Sequence, residues 1–117
     1  GPKIIDREAV KKMNSKPVIF ALANPVPEIM PDEAMAGGAF IVASGRSDYP
    51  NQINNSLVFP GAFRGMLDAN KKQFSNDMFI KIAIALADFV KKPTTDKIIP
   101  SMFDKGIAKL VSKTICS

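Results

Sequence analysis

The sequence predicts an α/β protein that contains part of a doubly wound parallel sheet, followed by C-terminal helices. Two continuous apolar runs, at residues 18–23 and 39–43, are typical of strands buried on both faces of a parallel sheet. A short helical pattern separates them, and this order favours a parallel pair joined by a right-handed crossover. Because two strands make a poor independent sheet, we expect a segment of a larger domain or a chain that forms oligomers.

Caps and breakers predict the helices that flank the strands. The first helix is predicted over residues 4–13, with Asp6 as its N-cap. The second is predicted to begin near Pro31, with two acidic residues in its first turn, and to end at Gly37-Gly38.

Three further helices are predicted after the polar loop that follows the second strand. The first begins near Asn54, and Pro60 is expected to kink it or to move its start by several residues. The second, at residues 76–90, is apolar on almost every side and therefore requires more than one neighbour. The last, at residues 101–115, is predicted to include Phe103 on its apolar side.

The composition excludes several kinds of site within this chain. Cys116 is the only cysteine and there is no histidine, so zinc sites, Ser-His-Asp triads and intrachain disulfides are excluded. A lone thiol fits a reducing compartment, and we expect a cytoplasmic protein. The apolar stretch at residues 78–90 contains two charges and is shorter than the ~20 residues of a membrane span. Gly1-Pro2 resembles a scar left by tag cleavage.

The net charge of +5 permits two interpretations. A basic surface can bind nucleic acid or other anions, which makes a non-catalytic basic module the alternative function. Lysines near helix ends are also favourable against the helix dipole and are then simply solvated. We favour the second interpretation, and expect no nucleic acid partner, because no aromatic or arginine cluster accompanies the lysines. The lysine pairs are Lys11-Lys12, Lys71-Lys72 and Lys91-Lys92.

Polar side chains that follow the predicted strands are candidates for ligand binding, because ligands of open α/β sheets bind outside the carboxyl ends of the strands. Asn24 directly follows the first strand, where its amide suits a carboxamide or a carboxylate oxygen, or else forms an Asx turn. Asn54 and Asn55 either cap a helix or help to hold an anion. Arg46, in the loop after the second strand, and Arg64, within the third helix, are candidates to hold an anion, although Arg46 could equally pair with Asp48.

Two expected features of a nucleotide-dependent enzyme do not occur. There is no Gly-x-Gly-x-x-Gly turn. There is also no convincing metal site. Glu28, Asp32 and Glu33 lie close together, but acidic side chains at a helix start are better explained by the helix dipole than by a metal ion. We therefore identify no catalytic residue and no metal ligand in this chain.

The motifs around these candidates resemble those of malic enzymes, and most closely the compact bacterial-type malate oxidoreductases. The likeness extends over nearly the whole chain. The sequence departs from the family's more usual Asp-Pro-Arg pattern at Asp104-Lys105-Gly106. The matching motifs are FALANP at 20–25 with PEI at 27–29, VASGRSD at 42–48 with PNQINN at 50–55, FPG at 59–61, and IIP at 98–100 with FD at 103–104.

The resemblance implies a fold, an activity and a set of ligands. Residues 1–92 would be the C-terminal part of a Rossmann-type NAD(P)-binding domain, and residues 93–117 a linker and a helix packed on it. Malic enzymes oxidise L-malate with NAD or NADP and decarboxylate the product to pyruvate, using Mg²⁺ or Mn²⁺. By this resemblance Asn24 and Asn54 bind the cofactor, and Asn24 and Asn55 bind the substrate. The division of roles between Asn54 and Asn55 stays open.

The resemblance also implies what this chain lacks. The family's lysine and tyrosine acid–base pair, its metal-binding carboxylates and its glycine-rich turn belong to upstream sequence. Tyr49, the only tyrosine, does not match the catalytic one. We therefore expect the chain alone to be inactive, to need the N-terminal part of the enzyme as its partner, and to belong to a homodimer when complete. A different nicotinamide-dependent enzyme with the same half-domain remains a further alternative.

Overall fold

The structure is a computed structural model that describes residues 3–117. The contacts of these residues form two compact units, one of residues 3–53 with 93–98 and one of residues 54–92 with 99–117. Gly1-Pro2, interpreted above as a tag scar, lies outside the described residues. The elements in chain order are α1 (Arg7–Lys11), β1 (Val18–Ala21), α2 (Pro31–Ala36), β2 (Ile41–Ser44), a 3₁₀ helix (Asn55–Leu57), α3 (Phe59–Asp68), α4 (Asn76–Phe89) and α5 (Ile107–Cys116).

The first unit contains the two predicted strands as a parallel pair. The register runs from Val18 opposite Ile41 to Ala21 opposite Ser44. The predicted strand–helix–strand unit is therefore confirmed. Both strands are shorter than their apolar runs, and β2 extends one residue further than predicted, to Ser44.

Only one face of β1 is covered within the described residues. Val18, Phe20 and Leu22 keep 53%, 55% and 49% of their surface exposed. The expectation of burial on both faces is therefore not met within the described residues, where only Ile19 and Ala21, on the opposite face, share a core with residues of α1 and α2. The covered face belongs to the core of this unit, formed by Val10, Ile19, Ala21, Ile29, Ala34, Ala39 and Val42.

The two short helices of this unit begin where the caps predict. The carboxylate of Asp6 accepts the backbone N–H of Ala9 at 2.8 Å, which satisfies one of the open donors at the start of α1. Pro31 is the first residue of α2, where its missing N–H removes no helical hydrogen bond.

The second unit is an all-helical layer in which α3 and α4 both pack on α5. Pro60 lies in the first turn of α3, which begins at Phe59 rather than near Asn54, so its predicted effect on the helix start is confirmed. The core residues of this unit are Leu57, Ala62, Met66, Ile82, Leu86, Ile107, Val111 and Ile115.

The last helix begins six residues later than the sequence suggested. Gly106 adopts a left-handed conformation with φ of +91°, which ends any helical run before Ile107. Upstream, the Asp104 carboxylate accepts the backbone N–H of Ser101, so local turns replace the predicted first helical turn. Phe103 is consequently 84% exposed, and its predicted place on the apolar side of the helix is wrong.

Helix α4 retains an apolar surface without cover in the second unit. Ile82 and Leu86 face the core, whereas Ile80, Ala83 and Ile84 are exposed. We call the exposed residues the α4 stripe. The sequence of α4 is apolar on almost every side. It therefore requires more neighbours than the one packed side that the second unit provides.

Two glycines allow α3 and α5 to approach each other at backbone distance. A Cβ atom on Gly61 would lie 2.5 Å from the Ala108 carbonyl oxygen and 2.8 Å from Cβ of Val111. A Cβ on Gly65 would lie 2.8 Å from the Ser112 carbonyl oxygen. Neither position has room for a methyl group unless the helices separate.

We expect Gly61→Ala to destabilise the second unit by about 1–3 kcal/mol, because the added methyl overpacks the contact between α3 and α5. The greater helix propensity of alanine, worth up to about 1 kcal/mol, offsets only part of this. Hydrogen exchange of α3 and α5 amides in the full-length protein measures the effect. Gly45→Ala is the matched control, since its Cβ would be 3.8 Å from the nearest atom, the Ile53 carbonyl oxygen. Equal protection in both variants would contradict the prediction.

Candidate functional site

The carboxyl ends of β1 and β2 lie at the same edge of the sheet. The strands are parallel, and their last residues, Ala21 and Ser44, pair with each other. The segment that carries Asn24 and the loop at residues 45–53 therefore leave the sheet at one edge. This is the edge at which ligands of open α/β sheets bind.

The Asn24 side chain is exposed at this edge. Its amide makes no hydrogen bond with any other residue of the described range 3–117, so the Asx-turn interpretation is not realised. The peptide bond to Pro25 is cis. Both the amide donors and the carbonyl acceptor of Asn24 are thus available to a ligand.

Glu28 holds the backbone next to Asn24. Its Oε2 atom accepts the Ala23 N–H at 3.0 Å. This hydrogen bond is the main reason that the pKa of Glu28 lies below its ordinary value. The explanation of Glu28 by a helix dipole is wrong, because α2 begins only at Pro31.

The other two acidic residues of this region do lie in the first turn of α2, as predicted. Each also has a side-chain partner. Asp32 accepts the Tyr49 hydroxyl at 3.0 Å, and Glu33 forms a two-point contact with Arg7 whose shorter distance is 2.8 Å. The contact with Asp32 raises the pKa of Tyr49, because the carboxylate favours the protonated phenol.

The loop after β2 folds back against the strand end. Ser44 is fully buried, and its N–H donates to the Asn51 carbonyl at 3.3 Å. Its own carbonyl accepts the N–H of Ile53 at 2.7 Å. The two ends of the loop are therefore held together next to the candidate edge.

The side chain of Asn51 holds this loop in place through hydrogen bonds. It is 6% exposed and has φ of +57°. Its Nδ2 donates to the carbonyls of Val42 at 3.1 Å and Thr95 at 2.8 Å, while its Oδ1 accepts the N–H of Ile98 at 2.9 Å. The sequence did not single out Asn51 within the polar loop that follows the second strand. The available signal was that asparagine tolerates the left-handed region better than other residues with a side chain.

Both candidate arginines pair with a nearby aspartate. Arg46 donates to both carboxylate oxygens of Asp48, at 2.9 and 2.7 Å, and lies 5.6 Å from the centre of the Tyr49 ring. This pairing lowers the pKa of Asp48 through the hydrogen bond to the guanidinium. Arg64 pairs with Asp68 in the same way, one helical turn away. The surface-pair interpretation of Arg46 is thus the one observed.

Asn54 and Asn55 belong to the second unit and are both exposed. The Asn54 side-chain oxygen accepts the Ser56 N–H at 2.9 Å, so Asn54 caps the 3₁₀ helix and retains a free amide NH₂ group. The helix is only three residues long, which removes the extended helix dipole that the anion-binding interpretation assumed. The convergence of these two amides with Asn24 stays a prediction.

Residues 3–117 contain no group of three or more acidic, cysteine or histidine side chains that is suited to a metal ion. No helix in this range combines the length and the apolar character that crossing a membrane requires. The lysine pairs lie near helix ends, as predicted, and Lys71 donates to the carbonyl of Ile115 in the last turn of α5.

A parallel strand pair whose carboxyl edge presents an available amide is typical of part of a dinucleotide-binding α/β domain. Comparison with known families identifies which one. Residues 2–116 match the family described as malic enzyme, NAD binding domain, and the chain belongs to that family. The suggested resemblance and the α/β, Rossmann-type fold class are thereby confirmed.

Relatives and solved structures agree with this assignment. The chain is 45% identical over 95% of its length to a bifunctional malic/malolactic enzyme of Bacillus subtilis, of which it covers 28%. It is 42% identical over 90% of its length to an NADP-dependent malic enzyme of Halomonas elongata, of which it covers 25%. The structure of an NAD-dependent malic enzyme from Thermotoga maritima matches all of the chain with a TM-score of 0.93 and 44% identity, and the match covers 30% of that structure. The chain thus spans about a quarter of the length of these two curated relatives.

Proposed function

We propose that this chain is the C-terminal part of the NAD(P)-binding domain of an enzyme that oxidises L-malate and decarboxylates the product to pyruvate and CO₂. The observation that carries the proposal is the Asn24 amide, which is exposed at the carboxyl edge of a parallel sheet and makes no hydrogen bond within residues 3–117. Membership of the malic enzyme NAD-binding family supports it.

In this proposal the three asparagines orient the two ligands. Asn24 fits the carboxamide of nicotinamide or a substrate carboxylate, because its amide has both donors and an acceptor available. Asn54 contributes its remaining NH₂ group to the cofactor, and Asn55 binds the substrate. The nicotinamide ring supplies a hydride acceptor when it is bound. The chain's contribution is to fix the distance and direction between that ring and malate.

No step is assigned here to a metal ion, although Mg²⁺ or Mn²⁺ is expected from the family likeness. The acidic residues near the candidate edge are already engaged: Glu28 with the Ala23 backbone, Asp32 with Tyr49 and Asp48 with Arg46. They do not form a metal-binding group. The metal ligands and the acid–base residues are proposed to lie in the remainder of the enzyme.

The remainder of the enzyme is also the proposed partner of the uncovered apolar surfaces. Val18 and Phe20 expose one face of β1, and a single two-stranded sheet is marginal in water. Further strands and helices of the same domain would cover that face. We also propose that the complete enzyme is a homodimer. The single cysteine supports a reducing, cytoplasmic location.

The proposal is tested by comparing the 117-residue chain with the full-length polypeptide. We expect NAD(P)-dependent malate oxidation only from the full-length protein, because the acid–base residues and metal ligands are proposed to lie outside this chain. The measurement is NAD(P)H formation with each cofactor in the presence of Mg²⁺ or Mn²⁺. A full-length protein that leaves malate unchanged with both cofactors would defeat the proposal. Malate oxidation by the 117-residue chain alone would contradict the proposal that the acid–base residues and metal ligands lie elsewhere in the enzyme.

The alternative of a basic module that binds anions or nucleic acid gains no support. The lysines lie at helix ends, where the dipole explains them, and Arg46 and Arg64 are occupied by aspartates. The relatives compared above are named malic enzymes.

A further inference from the structure

The Asn24 amide makes no hydrogen bond with residues 3–117, and strand β1 has already ended at Ala21. The backbone next to Asn24 therefore sets where the side chain starts and in which direction Cβ points. A group that fixes this backbone fixes the region that the amide can reach.

The Glu28 carboxylate is the group that holds this backbone. Its Oε2 atom accepts the Ala23 N–H at 3.0 Å, on the residue that precedes Asn24. The 3.0 Å distance is that of an ordinary N–H···O hydrogen bond, so this contact depends on the reach of the acceptor oxygen. The hydrogen bond closes residues 23–28 into a loop with Asn24 at one end.

Glu28 can serve as an anchor because its own backbone is immobilised. Its neighbours Pro27 and Ile29 are both buried. The carbonyls of Pro27 and Glu28 accept the N–H groups of Lys3 and Ile5, at 3.0 and 3.1 Å. The carboxylate thus connects the end of the strand to a fixed part of the first unit.

We infer that Glu28 is a positioning residue that orients the Asn24 amide toward its ligands through the Ala23 N–H. The inference rests on the proposed role of Asn24. Glu28 touches no ligand in this scheme and acts only through the backbone. The low pKa of Glu28 agrees with an acceptor that stays ionised.

The test uses Glu28→Gln and Glu28→Asp in the full-length enzyme, with kcat/KM for malate oxidation as the readout. Glutamine keeps an acceptor oxygen at the same reach and loses the charge, whereas aspartate keeps the charge and loses the reach. We expect Glu28→Gln to stay within about threefold of the wild type and Glu28→Asp to fall by about tenfold. Glu33→Ala, which removes a carboxylate that is paired with Arg7, is the matched control and leaves kcat/KM unchanged. The reverse order of the Gln and Asp variants would overturn the inference, since charge and not reach would then matter.

A double-mutant cycle with Asn24→Ala separates this inference from the proposed function. If Glu28 acts through Asn24, Glu28→Ala lowers kcat/KM by about tenfold alone but by less than about twofold when Asn24 is already alanine. Two outcomes would refute the role of Glu28 and leave the proposed function intact. In one, Glu28→Ala still lowers kcat/KM by about tenfold when Asn24 is already alanine; in the other, Glu28→Ala leaves kcat/KM unchanged while Asn24→Ala lowers it. Unchanged kinetics in Asn24→Ala would refute the proposed function and with it the need for a positioning residue. Thermal unfolding of each variant identifies losses that come from misfolding, and the Gln and Asp pair then decides.

Discussion

Asn24→Ala in the full-length enzyme is expected to lower kcat/KM for malate by tenfold or more, which corresponds to about 1.4 kcal/mol of transition-state stabilisation. The side chain is exposed and forms no hydrogen bond within residues 3–117, so its removal costs the fold little. The loss should therefore appear in turnover or in malate binding. Steady-state kinetics with malate and cofactor varied separately will assign it to one of the two.

Two comparison variants make this result specific. Asn24→Asp has nearly the same shape but replaces the amide donors with a negative charge, so we expect it to be impaired at least as strongly beside an anionic substrate. Asn14→Ala removes another exposed asparagine, which precedes β1 on the amino side and not at the carboxyl ends of the strands, and should retain wild-type kinetics. Unchanged kinetic constants for both Asn24 variants would remove Asn24 from the site.

Asn51→Ala is expected to cause the largest loss of stability, about 3–4 kcal/mol. Alanine leaves the groups bonded by the Asn51 amide, including the Thr95 carbonyl and the Ile98 N–H, without that partner. It also removes a side chain that makes the left-handed region tolerable for asparagine, so alanine is less favourable at a φ of +57°. Urea denaturation of the full-length protein, with hydrogen exchange of residues 42–53 and 93–98 as the local readout, measures the effect.

Asn51→Gly separates the two causes of that loss. Glycine accepts the positive φ without strain but makes none of the three side-chain hydrogen bonds. We therefore expect its stability to lie about 1 kcal/mol above that of Asn51→Ala and still well below the wild type. If both variants are as stable as Asn14→Ala, the hydrogen bonds of Asn51 contribute nothing to stability.

The sequence was sufficient to predict the elements that depend on local pattern. The apolar runs predicted the parallel pair, Asp6 and Pro31 located two helix starts, and Pro60 marked the shifted start of α3. Each of these depends on residues within a few positions of one another. The late start of α5 was missed because a helical spacing at residues 101–106 competes with turns that Gly106 and the Asp104 carboxylate stabilise.

The candidate site could be predicted only in part. Asn24 was identifiable because a polar residue directly after an apolar strand lies at a known position of the fold. The role of Asn51 in holding the loop was not identified, because its hydrogen-bond partners Val42, Thr95 and Ile98 are distant in sequence and converge only after folding. Glu28 was grouped with Asp32 and Glu33 by its position in the sequence, because its bond to the Ala23 N–H forms only when residues 23–28 fold into a loop.

The α4 stripe has a consequence for the use of this segment in protein engineering. A chimera that borrows the helical unit from this protein also inherits Ile80 and Ile84 on its outer side. The recipient protein must then offer a complementary apolar groove, or the chimera will self-associate at high concentration. Exchanging both isoleucines for lysine or glutamate would remove this tendency, and the same change in the full-length protein would show whether that protein needs the apolar surface.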